Sequence, residues 1–164
     1  MLRGSNNDFQ TVTLREDVYP FGSGDRAVAT ARTDRRGSYA FTRRPSKNTT
    51  YQATFGAARS PAVLVNVRIR MSLRASDYTP RAGQVVRFRG RACPAHNGLV
   101  VRIQRRVGRG TFRTVRRTRL KPATRGCSAY SRRLRINRDA TYRVTADDAD
   151  HAKGFSSLRF LNVH

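Results

Sequence analysis

The chain has 164 residues, with 34 Lys and Arg against 10 Asp and Glu, a formal net charge of +24 and a pI near 11.8. A hydrophobic fraction of 38% with eight Phe and six Tyr is enough to build packed cores, which excludes a wholly disordered basic tail. No stretch approaches the roughly 20 apolar residues that span a bilayer, and the opening MLRGSNNDFQ lacks the apolar core of a signal peptide.

In chain order, TVTLRE (residues 11–16) opens a strand-like unit, a Gly-containing turn FGSGD follows, and GSYAFTRRPSKNTTYQATF (37–55) leads to an apolar strand VLVNV (63–67). Val63, Val65, Val67, Ile69, Met71 and Leu73 then alternate with no Gly or Pro between them. One unit therefore runs straight into the next, which predicts a stiff, rod-like pair. Beyond this join, seven strands are predicted at about 67–74, 84–92, 99–107, 111–120, 128–136, 140–146 and 156–163. VVRFRGRA sets Val86, Phe88 and Gly90 against Arg87, Arg89 and Arg91, and SRRLRI sets Leu134 and Ile136 against Arg133 and Arg135. That period of two belongs to half-buried strands. The breaks carry turn residues in TPRAGQ, PAHNG, GRG, KPATRG, NRD and DDADHAKG, and no window has helical periodicity.

The two halves repeat one another. Without gaps, residues 37–55 align with 128–146, placing Tyr39 on Tyr130, Asn48 on Asp139, Thr50 on Thr141 and Tyr51 on Tyr142. TVTLRE corresponds to VVRIQR, and VLVNV to RFLNV. Such self-similarity means a duplicated structural unit. The predicted fold class is all-β, with two tandem antiparallel β-sandwiches of immunoglobulin or fibronectin type III kind. Residues 67–164 form a complete seven-strand sandwich. Residues 1–66 form a partial, five-strand one that lacks the two N-terminal strands and leaves a sheet edge open. The expectation is a reading frame that starts late, with the true N-terminus and signal peptide missing, or a second chain that completes the sheet. Tyr142, near the start of the sixth strand, is expected to be a structural tyrosine, either a tyrosine corner or a core aromatic, and Tyr51 its counterpart.

The segments GQVVRFRGRACP, GLVVRIQRRVGRGTFRTVRRTRL, CSAYSRRLRINRDATYRVTA and SSLRFLNV resemble the tandem immunoglobulin-like repeats of secreted and surface proteins of high-GC Gram-positive bacteria. The shared features are a G-x-x-V-x-F-x-G second strand, an I-Q-R hairpin, a G-T-Y-R sixth strand and a closing S-x-x-x-x-x-V. Here Asp139-Ala140 precedes Thr141-Tyr142, and Phe112 stands where a tryptophan is common. The resemblance covers 67–164 well and 11–66 in part. It implies an extracellular or cell-envelope, non-enzymatic module.

Cys93 ends the second predicted strand and Cys127 precedes the fifth, its antiparallel neighbour in the immunoglobulin arrangement, so a disulfide is geometrically natural and implies an oxidising compartment. Two free thiols, or a zinc site of Cys93, His96 and Cys127 with no evident fourth ligand, are the alternatives. The basic residues are uneven, ten in residues 1–66 and twenty-four in 67–164, with five acids in each. The alternation puts Arg68, Arg70, Arg74, Arg87, Arg89, Arg91, Arg133 and Arg135 on one outer face, a candidate polyanion site. A solvated face screened by salt is the bland alternative, and a GC-rich coding sequence accounts equally well for arginine over lysine. DDADHAKG (147–154) places three carboxylates and His151 in one loop, read as a solvated acidic tip rather than a calcium site. Asn48 begins the sequon NTT.

No G-x-S-x-G elbow, H-E-x-x-H pair or phosphate-binding glycine loop is present. No catalytic residue, cofactor or metal is therefore assigned, and the chain is read as no enzyme. The leading reading is a secreted or envelope-associated rigid spacer or adhesion module whose arginine face meets an anionic cell-wall polymer, a carbohydrate or a protein. The alternatives are a nucleic-acid-binding basic β-protein, and a C-terminal accessory module of a larger secreted hydrolase. Against nucleic acid, the aromatics fall mainly on core-facing positions such as Phe88, Tyr130 and Tyr142, leaving no stacking platform.

Overall fold

The computed structural model describes residues 7–164, and they fall into two units divided between Val67 and Arg68. Among the described residues every regular element is a β-strand, and no helix long and apolar enough to cross a membrane is present.

The second unit is a two-sheet sandwich. Its strands are β6 (Arg70–Met71), β7 (Arg74–Ala75), β8 (Gln84–Cys93), β9 (Val100–Arg106), β10 (Phe112–Arg119), β11 (Lys121–Pro122), β12 (Ser128–Ile136), β13 (Ala140–Ala146), β14 (Gly154–Phe155) and β15 (Arg159–Leu161). One sheet runs β11-β12-β8-β6, with β7 also on β8. The other runs β10-β9-β13-β14, with β15 also on β13. Alternation decides the core. Met71, Val86, Phe88, Leu134 and Ile136 from the first sheet meet Val101, Ile103, Tyr142, Val144 and Leu161 from the second. Phe88 is fully buried with its ring 5.0 Å from that of Tyr142, a burial contributing about 1.5–3 kcal/mol.

Two predicted strands are broken. The alternation across Val63–Leu73 and on to Arg74 predicts unbroken extended chain, but the chain is divided into a bridge from Arg68 to Ala152 and two separate short ladders, β6 and β7, both on β8. The predicted strand 156–163 is likewise reduced to β15, with β14 a separate short ladder on β13 just ahead of it.

The first unit contains β1 (Thr11–Val18), β2 (Arg26–Arg32), β3 (Thr49–Phe55), β4 (Ala58–Arg59) and β5 (Val63–Val65), joined in one sheet of order β2-β1-β3-β4 with β5 also on β3. This is the order of the β10-β9-β13-β14 sheet, strand for strand. The counterpart of β12, residues 37–45, forms no strand. β12 exists through a nine-residue ladder with β8, from Ser128↔Ala92 to Ile136↔Gln84, and the described residues of the first unit offer no counterpart of β8. The expected five-strand partial sandwich is thus a single sheet with an irregular, unladdered segment, since a strand without a partner satisfies no backbone groups.

The aligned letters have physical meaning. Asn48 Oδ1 accepts from Val67 N at 2.9 Å, and Asp139 Oδ1 accepts from Val163 N at 2.7 Å. Each ties the end of its unit to the turn before the long central strand. Tyr51 pairs in register with Glu16, and Tyr142 with Arg105. Burial pushes both tyrosine hydroxyls up, and their polar neighbours are Arg43 and Glu16 for Tyr51 and Arg105 for Tyr142. Both are core-facing aromatics whose hydroxyls meet charged side chains. The backbone tie belongs instead to Tyr130, whose buried hydroxyl donates to Ser72 O at 2.7 Å.

Candidate functional site

The arginine face arises because the G-x-x-V-x-F-x-G strand buries Val86 and Phe88 and so turns Arg87, Arg89 and Arg91 outward. β12 does the same with Arg133 and Arg135 around Leu134. The register opposes like charges directly: Arg74 faces Arg89, and Arg87 faces Arg133. Among the described residues these four side chains carry no hydrogen bond or ion pair. A shallow groove of about 720 Å³ is lined by Arg74, Arg87, Arg89 and Arg91 with Ser72 and Ser131. Arg87, Arg89 and Arg133 line the adjoining depression with Ser76 and Val85.

Of the remaining predicted members, Arg91 lines the same groove but is held by hydrogen bonds, and the other three lie at the margins. Arg91 donates to Thr124 O and, at 3.2 Å, to Thr124 Oγ1, while Arg135 donates to Gly83 O at 3.0 Å. Arg70 lies opposite Cys93 at the end of β6. Arg68 bridges Ala152 and stands outside the β6–β8 ladder. The sequence reading missed Arg132. Alternation points it inward, yet it is exposed and lines a depression with Arg116 and Arg117 of β10. The irregular burial of β12 between Tyr130 and Leu134 is not visible in the letters SRRL.

On the other sheet, the Arg143 guanidinium lies 3.9 Å from the Phe112 ring centroid and 4.7 Å from that of Phe155. These outward aromatics already hold a cation between them.

Cys93 and Cys127 are joined by a disulfide, with Cα atoms 4.5 Å apart. Their sulfurs are therefore not offered to a metal, and the Cys93–His96–Cys127 zinc alternative does not form. His96 turns elsewhere. Its Nδ1 lies 2.9 Å from Asp148 Oδ2, and its ring meets that of His151 edge-on at 4.5 Å. His151 Nδ1 lies 2.8 Å from Asp150 Oδ1 and 3.5 Å from Asp148 Oδ1. Only 3% of the His151 side chain is exposed. The loop 147–154 is thus no solvated acidic tip: Ala149 faces outward, the three carboxylates are half-buried, and His151 is buried. Burial raises the Asp148 carboxyl above its usual range, with the Asp150 carboxyl adding to the rise and His96 and His151 opposing it.

No protein-family profile matches the chain, and no curated protein matches it in sequence. A solved structure described as a tetra-tandem repeat in the extending region of a large adhesion protein aligns with 94% of this chain at a TM-score of 0.39 and 13% identity. The chain spans 42% of that structure's length.

Proposed function

We infer that this chain is a non-enzymatic extracellular or cell-envelope module, a spacer or adhesion unit, whose arginine face binds an anionic surface polymer. The observation that carries the reading is the direct opposition of Arg74 to Arg89 and of Arg87 to Arg133. Like charges opposed across strands destabilise a sheet, and an acidic partner relieves that repulsion. Arginine's planar fork matches phosphate and carboxylate groups in pairs. An immunoglobulin-type reading of the second unit is supported by its strand order. β6/β7, β8, β12 and β11 take the places of strands A, B, E and D, and β9, β13 and β14/β15 those of C, F and G. The disulfide supports an oxidising compartment.

The test is retention of the purified protein on cell walls before and after their anionic polymers are stripped, with duplex and single-stranded DNA of matched charge as competitors. Wall binding that falls with stripping, and that the pair Arg89→Glu and Arg133→Glu abolishes, supports the reading. Preference for DNA, or binding unchanged in the pair, overturns it.

A further inference from the structure

We propose that His96, Asp148, Asp150 and His151 form a four-ligand site for a divalent transition metal of the zinc type. One ligand atom from each residue lies within 4.8 Å of all the others. A tetrahedral zinc with bonds of about 2.0–2.2 Å holds its donors about 3.4 Å apart. The difference is within reach of side-chain rotation while the backbone stays fixed.

The backbone on both sides is held. Three residues before His96 the chain is locked to Cys127 by the disulfide. His96 N donates to the buried Ser128 Oγ at 2.8 Å. On the other side Arg102 pairs with Asp147, and Ile69 N donates to Ala152 O at 3.4 Å. Gly154 then packs so closely on Ile69 that an added Cβ would lie 2.2 Å from Ile69 O. The three ligands in the β13–β14 connection are thereby bracketed by fixed points at residues 147, 152 and 154.

Charge points the same way. The site places two carboxylates together beside two imidazoles in a largely water-excluded corner, where side-chain exposure runs from 3% for His151 to 23% for Asp150. In a chain with 34 Lys and Arg, both ion-pair partners of Asp148 are histidines rather than arginines. A dication balances two carboxylates, and neutral imidazole is a preferred ligand for such ions. Half the donors are nitrogen, and calcium prefers six to eight oxygens, so the donor set favours zinc over calcium.

The experiment uses the whole chain with its disulfide intact, stripped by chelator and dialysed. Zn²⁺ is titrated calorimetrically, and Co²⁺ is added as an optical probe of coordination. The expected result is one equivalent bound, with the intense visible absorption of four-coordinate Co²⁺. His96→Ala and Asp148→Asn should each weaken binding by more than about a hundredfold, beyond the 10–100-fold typical of residues that only support a ligand. Because His151 is buried and its variants could unfold, the native chain supplies a second readout. On adding Zn²⁺, the ring-nitrogen resonances of His96 and His151 should shift, and those of His164 should not. No saturable Zn²⁺ binding, binding unchanged in His96→Ala and Asp148→Asn, unmoved His96 and His151 resonances, or displacement of Zn²⁺ by equimolar Ca²⁺ would overturn the assignment. The first of these would leave the cluster as a histidine–aspartate ion-pair network only.

Discussion

Arg87 of β8 stands directly opposite Arg133 of β12, and both side chains are exposed. With no partner bound, the pair works against the sheet that carries it. Arg133→Glu converts repulsion to attraction and should stabilise the second unit by about 0.2–1 kcal/mol at low salt. The gain should shrink at high salt as the charges are screened. Urea unfolding at two ionic strengths measures it. A destabilised variant would mean that Arg133 serves the fold rather than a partner.

Gly90 lies beneath the hydrogen bond from Tyr130 to Ser72. A Cβ there would sit 1.9 Å from Ser72 O and 2.6 Å from the Tyr130 hydroxyl. Gly90→Ala should therefore cost at least about 2–3 kcal/mol. Tyr130→Phe alone should cost about 1–2 kcal/mol through the lost bond to Ser72 O. It also removes one of the three clashing atoms, the others being Ser72 O and Ser72 C, so the double variant should lose less than the sum. Additive losses in a thermodynamic cycle would place the strain of Gly90→Ala elsewhere.

Reduction of the Cys93–Cys127 bridge releases a connection with a sequence separation of 34. The chain-entropy account gives about 3–4 kcal/mol for a loop of that size. Unfolding midpoints with and without reductant, checked by free-thiol counting, measure the loss. A change below about 1 kcal/mol would show that the bridge confines the unfolded chain far less than the chain-entropy account requires.

Acid should weaken both units through particular carboxylates. The pKa of Asp34 is held below 3.8 mainly by the backbone N–H groups of Ser38 and Arg36, and that of Asp77 mainly by Thr79 N–H with Gln84. Because both values are lower folded than unfolded, each contribution is fully present above pH 3.8 and disappears as pH falls through the lowered value. Asp34→Asn and Asp77→Asn should flatten the fall in the urea midpoint over that acid range. Curves parallel to the parent would exclude these two groups.

The unladdered segment 37–45 should be the first part of the first unit to be cut. Arg43 is exposed there, and a stretch with few backbone hydrogen bonds opens at little cost. Arg44 is exposed as well, but Pro45 follows it and blocks trypsin at that bond. Brief trypsin treatment followed by mass spectrometry should find cleavage after Arg43 before any within β8 or β12. Arg133 and Arg135 serve as the internal comparison, since they are exposed but laddered.

What the letters disclosed depends on the range of the interaction. Strands such as β8 and β13 follow from local alternation, and the duplication from landmarks that keep their order. The absence of a strand at residues 37–45 was hidden, because GSYAFTRRP resembles SAYSRRLRI and only a ladder partner tells them apart. The inward set of β12 was legible except at Arg132, where a long side chain reaches solvent from an inward position. The burial of His151 was invisible for a related reason. It depends on which loops share one end of the sandwich, and His96 lies 55 positions earlier in the chain. The role of Asn48 and Asp139 was marked by their alignment, but its content, an amide or carboxylate oxygen holding the end of each unit, depends on a backbone N–H that only the fold brings within reach.

The bridge between Cys93 and Cys127 has a consequence for a chain under tension. When the second unit is pulled open from its ends, the residues between the two cysteines cannot extend. At about 3.4 Å per residue, the sequence separation of 34 withholds roughly 115 Å of contour length. The first unit has no cysteine and can extend along its whole length. A tether built this way yields in the first unit over a long travel and stops short in the second, and a reducing environment turns the short stop into a long one.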